Sequence, residues 1–326
     1  MVLINKEMGF GSALRLPTVD FSSLDHFKLG TREWESTKMQ VRKALEEYGC
    51  FEVVYSEVPN RKEMFSVMED LFNLPLETKI LNQSKEPFTS HQLFSAMPLF
   101  ESTGINDAPI LEQLKKFTKL MWPQENGVFS KTIHSFSKIT SELDQMIRRM
   151  VLESFGVEEY YDDHINLTKY HLRLIKYNPS DNENGDIGIN PHTDKNMTSI
   201  LFDNQIDGLE IQTKVGEWIT VKISPKSFIF LIGDSFLAWT NGRLQPPVHR
   251  VTMRGNKVRY SLVLFSVPKG RHLVQSPKEL VDKDHPLLFN PFDYQEFITT
   301  YASSIKVTSS TMNCKREMNL EKYCGV

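Results

Sequence analysis

Between residues 168 and 270 the chain breaks into eight short runs rich in β-branched and aromatic residues: "YHLRLIKY", "TSILF", "LEIQT", "WITVK", "SFIFLI", "FLAWT", "VHRVTM" and "RYSLVLFSV". Gly, Asn, Asp and Pro separate them. Runs of this length bounded by turn residues read as strands. Eight in close succession predict a β-sandwich or barrel, and a double-stranded jelly roll (a double-stranded β-helix) fits the count.

The first half has a different period. "REWESTKMQVRKALEEYGC" sets Trp34, Val41, Leu45 and Tyr48 at helical spacing and stops at Gly49. "NRKEMFSVMEDLFNLP" repeats the pattern with Met64, Met68 and Leu71, between an Asn60 cap and Pro75. "SKTIHSFSKITSELDQMIRRMVLESFG" predicts a longer helix with Ile133, Phe136, Leu143, Met146 and Met150 on one stripe. "LPTVDF" predicts a short strand, residues 76–125 read as irregular, and 277–326 returns to helix and loop. The expected class is α+β, mainly β. A helical N-terminal region (14–125) and a support helix (126–167) pack on a jelly-roll core (168–270), followed by a C-terminal segment (271–326).

Composition excludes several functions. The 38 basic and 41 acidic residues leave a formal charge of −3, with no basic run interleaved with aromatics, so nucleic acid is not an expected partner. Cys50, Cys314 and Cys324 form no C-x-x-C pair. The opening "MVLINKEMGFGSALRLPTVDF" lacks the basic-then-apolar layout of a signal peptide. The run "SFIFLIGDSFLAW" is broken by Gly233 and Asp234 and is too short for a bilayer. The terminal "CGV" puts Cys324 third from the end, where a prenylation box needs it fourth. A cytosolic protein without membrane attachment is the expectation.

The chemistry starts at "NPHTDKN", where His192 and Asp194 stand two residues apart. Alone, such a pair reads as a polar turn before it reads as a metal site. No cysteine cluster or H-E-x-x-H supports zinc. Ferrous iron in oxygenases takes two histidines and one carboxylate on one face, leaving positions open. Of the nine histidines, His171, His249 and His272 lie in or beside the β-rich region. His249 stands out because "RYS", Arg259 to Ser261, follows ten residues later. Residues two apart on a strand share a face, so this guanidinium and hydroxyl can together receive a ligand carboxylate. His171 and Arg173 also share a face and read first as a satisfied structural pair. His272 reads as polar surface, and Asn241-Gly242 as a hairpin turn without chemistry.

"HTD" at 192–194, "TNGR" at 240–243, "HRV" at 249–251 and "RYS" at 259–261 resemble the signature of plant 2-oxoglutarate- and Fe(II)-dependent dioxygenases. The resemblance covers nearly the whole chain. "HTDKNMTSILFDNQIDGLEIQTKVGEW" is most similar to the branch containing the glucosinolate side-chain-modifying dioxygenases. It implies Fe(II) on His192, Asp194 and His249, and 2-oxoglutarate on Arg259 and Ser261. It also implies dioxygen as oxidant, ascorbate as a supporting reductant and a monomer acting on a small molecule. Many relatives carry two tyrosines before a proline, the second helping to bind the cosubstrate; here "KYNP" keeps Tyr177 and puts Asn178, which could donate a hydrogen bond instead, in the second place, and both are cosubstrate-binding candidates. Phe100, Trp239 and Phe265 are candidates to wall an apolar substrate, with core packing as the competing assignment. The implied reaction hydroxylates, desaturates or dealkylates a specialised metabolite. Alternatives are oxidation of a hormone (auxin or a gibberellin), a non-catalytic jelly-roll binding protein, and a jelly-roll metal hydrolase.

Overall fold

The computed structural model describes residues 15–24, 29–306, 315–316 and 319–326. His26, Cys314 and most of the opening stretch lie outside them. A short strand β1 (Thr18–Asp20) leads to helix α1 (Arg32–Tyr48), as the sequence predicts. Thr31 caps α1 by accepting the Trp34 N–H, and Gly49, at φ 67°, closes it in the left-handed conformation. Then come β2 (Cys50–Val54), α2 (Arg61–Phe72) under its Asn60 cap, and α3 (Leu76–Lys79).

The stretch read as irregular contains β3 (Gln92–Phe94), β4 (Met97–Asn106) and α4 (Leu111–Met121). Pro, Ser, Gly and Asn give "MPLFESTGIN" the composition of a loop. Its strand conformation comes instead from a long-range partner, with Phe100 opposite Tyr177 and Asn106 opposite His171. The long helix α5 (Gly127–Phe155) starts at an Asn126 cap and stops at Gly156, and α6 (Tyr161–Asn166) covers the segment holding His164.

The β-rich half supplies β5 (Thr168–Tyr177), β6 (Asp186–His192), β7 (Thr198–Asp203), β8 (Leu209–Gln212), β9 (Trp218–Thr220) and β10 (Ser227–Ile232). After these come β11 (His249–Met253) and β12 (Arg259–Pro268). The sequence reading missed β6 and placed a strand at "FLAWT" that is helix α7 (Asp234–Trp239). A short apolar run has no periodicity to tell the two apart. Backbone bonds from Gly233, Asp234 and Ser235 to the carbonyls of Met197, Asp194 and Asn196 turn the chain there. Asn241-Gly242 is no hairpin either. It follows α7, and the buried Asn241 amide donates to the carbonyls of Leu280, His285 and Pro286, clasping the C-terminal segment.

The strands form an eight-stranded sheet, β1-β2-β10-β7-β12-β5-β4-β3, and a four-stranded sheet, β6-β11-β8-β9. Period-two alternation divides the large sheet's side chains. Leu172, Leu174, Ile200, Phe202, Phe228, Phe230, Leu262 and Leu264 pack in one core with Ile133, Phe136, Leu143 and Met150 of α5. Ile175, Leu201, Ile229, Leu231 and Val263 point the other way and meet Leu209, Ile211, Val251 and Met253 of the small sheet. The two sheets therefore face each other, as the jelly-roll reading expects. Helix α8 (Tyr294–Ser304) packs beside them. Among the described residues no helix is long and apolar enough to cross a membrane.

Candidate active site

A cavity of about 230 Å³ lies between the sheets, lined by His192, Asp194, His249, Arg259, Ser261, Tyr177, Phe100 and Phe265, with α8 contributing Tyr294, Ile298 and Tyr301. The histidines reach it by strand pairing: His249 on β11 is directly opposite His192 on β6. Their ring centroids are 4.1 Å apart. Asp194, just past the end of β6, brings Oδ1 to 3.7 Å from His192 Nε2 and 3.8 Å from His249 Nε2. One donor atom from each of the three lies within 4.8 Å of the others.

The backbone sets the imidazole tautomers. His192 Nδ1 lies 2.9 Å from the Asn190 carbonyl oxygen, and His249 Nδ1 lies 3.2 Å from that of Pro247. A carbonyl only accepts, so each Nδ1 carries the proton and each Nε2 presents a lone pair. Ser199 Oγ donates to Asp194 Oδ2 at 2.6 Å, which leaves Oδ1 toward the histidines. Two neutral imidazoles and one carboxylate converging from one side are a donor set suited to Fe(II). No local pattern pointed to Ser199 or to Gly233. A Cβ at Gly233 would sit 2.2 Å from the Asn196 carbonyl oxygen and 3.1 Å from that of Asp194, so only glycine lets α7 approach the loop after Asp194.

Arg259 is fully buried. Nη2 donates to Asp203 Oδ2 at 2.9 Å and Nε to the Ile206 carbonyl at 3.2 Å, while Nη1 is buried with no partner among the described residues. The Tyr177 ring lies 5.5 Å from its guanidinium carbon. A buried N–H without an acceptor is costly unless a ligand supplies one, and a ligand carboxylate suits a guanidinium already held at its other nitrogens. Ser261, two residues on, lines the same wall.

The remaining sequence candidates divide. Tyr177, Phe100 and Phe265 line the cavity, and so do His171 and Arg173. Asn178 does not; its N–H donates to the Leu99 carbonyl outside the lining. Trp239 is in the helix-side core, its ring centroid 4.8 Å from that of His164, because the helical phase of α7 turns it away from the sheets. His272 is exposed.

The site thus gathers two histidines and a carboxylate that could hold a metal ion, beside an arginine and a serine. The model of the 2OG-Fe(II) oxygenase superfamily matches residues 163–268, and that of the non-haem dioxygenase in morphine synthesis N-terminal region matches residues 16–115. The chain belongs to the 2-oxoglutarate- and Fe(II)-dependent oxygenases. It is 47% identical over 294 residues to the probable 2-oxoglutarate-dependent dioxygenase AOP1.2 of Arabidopsis thaliana, covering 88% of this chain and 90% of that one. The probable 2-oxoglutarate-dependent dioxygenase AOP1 of the same plant is 46% identical over 295 residues, with the same coverage. Among solved structures, the rice dioxygenase for auxin oxidation superposes with a TM-score of 0.77 at 25% identity, covering 91% of this chain and 98% of that one.

Proposed function

We propose that His192, Asp194 and His249 hold Fe(II), that Arg259 and Ser261 receive the far carboxylate of 2-oxoglutarate, and that a small plant specialised metabolite lies along the apolar wall. The product is an alcohol, an alkene or a dealkylated compound. The observation that carries this reading is the buried, unpartnered Nη1 of Arg259 on the wall of the cavity that also holds the triad. Fe(II) held by these residues would activate dioxygen, the oxidant, whose two oxygen atoms would end in succinate and in the oxidised substrate or water as 2-oxoglutarate loses carbon dioxide.

The chain's own residues position and shield. The carbonyls of Asn190 and Pro247 hold the imidazoles in the ligating tautomer, and Ser199 orients the carboxylate. Tyr177 packs against Arg259, while Phe100 and Phe265 keep the wall dry. We assign residues 168–270 to the catalytic core, with 14–125, 126–167 and 271–326 around it. Ascorbate supports turnover, and the enzyme works as a cytosolic monomer.

Specialised metabolism is favoured by the resemblance of the "HTDKN" stretch and by the morphine-synthesis description of the matching N-terminal model. The likeness to the rice auxin dioxygenase favours a second reading, hormone oxidation by the same machinery. One experiment tests both. Anaerobic titration with Fe(II) and 2-oxoglutarate, followed by visible absorbance, should develop a weak charge-transfer band that His249→Ala abolishes. Oxygen is then admitted with plant extract or with auxin and gibberellin. A substrate gaining about sixteen mass units, one oxygen atom, identifies the class. No band from the wild-type protein would refute the site assignment.

A further inference from the structure

Four lysine or arginine side chains line the cavity: Lys169, Arg173, Lys195 and Arg259. Three have a carboxylate partner: Lys169 pairs with Glu86 at 2.6 Å, Lys195 with Asp234, and Arg259 with Asp203 at 2.9 Å. Arg173 has none within salt-bridge distance among the described residues. Its Nε donates to Ser102 Oγ at 3.2 Å, and its Nη2 donates to the same oxygen at 3.1 Å and to Gln92 Oε1. Both acceptors are neutral, and Nη1 has no protein acceptor among the described residues.

The fork is held in place. The rings of Phe100 and Phe88 lie 5.3 and 5.9 Å from its guanidinium carbon. Burial pulls its pKa down to about 10, which still leaves it charged at neutral pH. Asp194 acts on it only from beyond salt-bridge distance, and a half-buried cation with no carboxylate in contact is expensive to keep unless a ligand brings the anion. It is also separate from the cosubstrate end. Val263, its cross-strand partner, lies four residues beyond Arg259 on β12, roughly 13 Å along the strand.

We propose that Arg173 is the receptor for an oxyanion on the substrate, which is therefore an apolar molecule carrying one carboxylate or sulfate. The inference rests on the site reading above. The anion sits on Arg173 while the apolar body lies against Phe88, Phe100 and Phe265. The arginine thus acts as a specificity-determining residue, fixing which end of the substrate points at the triad. Charge-assisted hydrogen bonding from Nη1 predicts a preference of roughly 10- to 100-fold for the anion over a neutral analogue of the same shape.

The test is anaerobic calorimetry on the Fe(II)- and 2-oxoglutarate-loaded protein with a paired panel. Phenylbutyrate and octanoate are each set against their methyl esters, and octyl sulfate against octanol. The wild-type protein should bind at least one anion roughly 10- to 100-fold more tightly than its neutral partner. The carboxylate and sulfate arms show which oxyanion is taken. Arg173→Gln should erase that preference while leaving the neutral ligands and 2-oxoglutarate bound as before, and Arg173→Lys should keep only part of it. Equal binding of every pair by the wild-type protein, which needs no variant to fold, overturns the proposal. A preference that survives in Arg173→Gln overturns it as well. A wild-type protein that does not bind 2-oxoglutarate overturns the site reading and this inference together.

Discussion

Ser199 is the most informative residue to remove, because it touches the triad without belonging to it. Its hydroxyl donates to Asp194 Oδ2 at 2.6 Å and accepts from the Asn196 amide at 3.1 Å, all inside the protein. Ser199→Ala deletes that donor and leaves Asp194 free to rotate Oδ1 away from the histidines. Hydrogen bonds to charged groups contribute about 1.5–3 kcal/mol, and loss of a ligand-orienting partner weakens metal binding by roughly 10- to 100-fold. The metal-free fold should lose no more than about that 1.5–3 kcal/mol, since the Asn196 amide keeps its 2.6 Å bond to the Thr198 carbonyl and an alanine methyl fits where a hydroxymethyl was. The assay is anaerobic competition for Fe(II) against a chromophoric chelator, with a thermal melt of the metal-free protein alongside. Iron affinity should fall at least tenfold, with the melt lowered by several degrees but still cooperative. A change under about twofold in a folded variant would mean that Asp194 needs no orienting partner, and the argument for how the site is built would fail.

Arg259→Lys should weaken 2-oxoglutarate by roughly 10-fold or more at saturating metal, because a point charge replaces a fork whose other nitrogens are already engaged; unchanged cosubstrate affinity in calorimetry would remove Arg259 from that role. Gly233→Ala forces a methyl to 2.2 Å from the Asn196 carbonyl oxygen, so it should cost about 2 kcal/mol or more in urea unfolding and loosen iron through the displaced loop; native stability would contradict the close approach. Burial holds His91, His164 and His171 below the ordinary histidine range, with His171 at about 3 and the charges of Arg173 and Lys169 adding to the effect there. The folded state keeps these rings neutral while the unfolded chain protonates them. Stability is therefore fully present above the ordinary range and lost as pH falls through about 6.5, by up to roughly 1.4 kcal/mol per pH unit for each ring. Urea unfolding of metal-free protein between neutral and mildly acidic pH should show this slope, and His164→Phe should reduce it; a flat profile would refute it.

What the sequence makes legible is whatever its local period carries. Arg259 and Ser261 are two residues apart on one strand, and that spacing alone puts them on one face, while His192 and Asp194 are merely kept close along the chain. Ser199 and Gly233 are not legible, because their roles are contacts: a serine inside an apolar strand, and a glycine 39 residues after Asp194 whose missing Cβ admits a carbonyl. Strand β4 is hidden for a related reason, since its conformation is imposed by β5 against a loop-like composition. Trp239 shows the opposite failure. An aromatic in an apolar run looks like pocket wall until the helical phase of α7 turns it toward His164.

Arg173 lies between these cases. Its shared face with His171 is legible, but its lack of a carboxylate is a statement about every element around the cavity. Register ties the two levels together. Along β12, Arg259, Ser261, Val263 and Phe265 face the cavity, while Tyr260, Leu262 and Leu264 pack in the helix-side core. Opposite them on β5, Tyr177, Ile175, Arg173 and His171 keep the same phase. A slip of one residue would bury Arg259 among the phenylalanines packed under α5 and swing Leu262 into the cavity, losing the proposed carboxylate receptor and the core in one step. Correct pairing of β12 with β5 and β7 is therefore a single requirement shared by folding and by the cosubstrate binding we propose. The buried residues between the polar ones specify the site as firmly as the polar ones do.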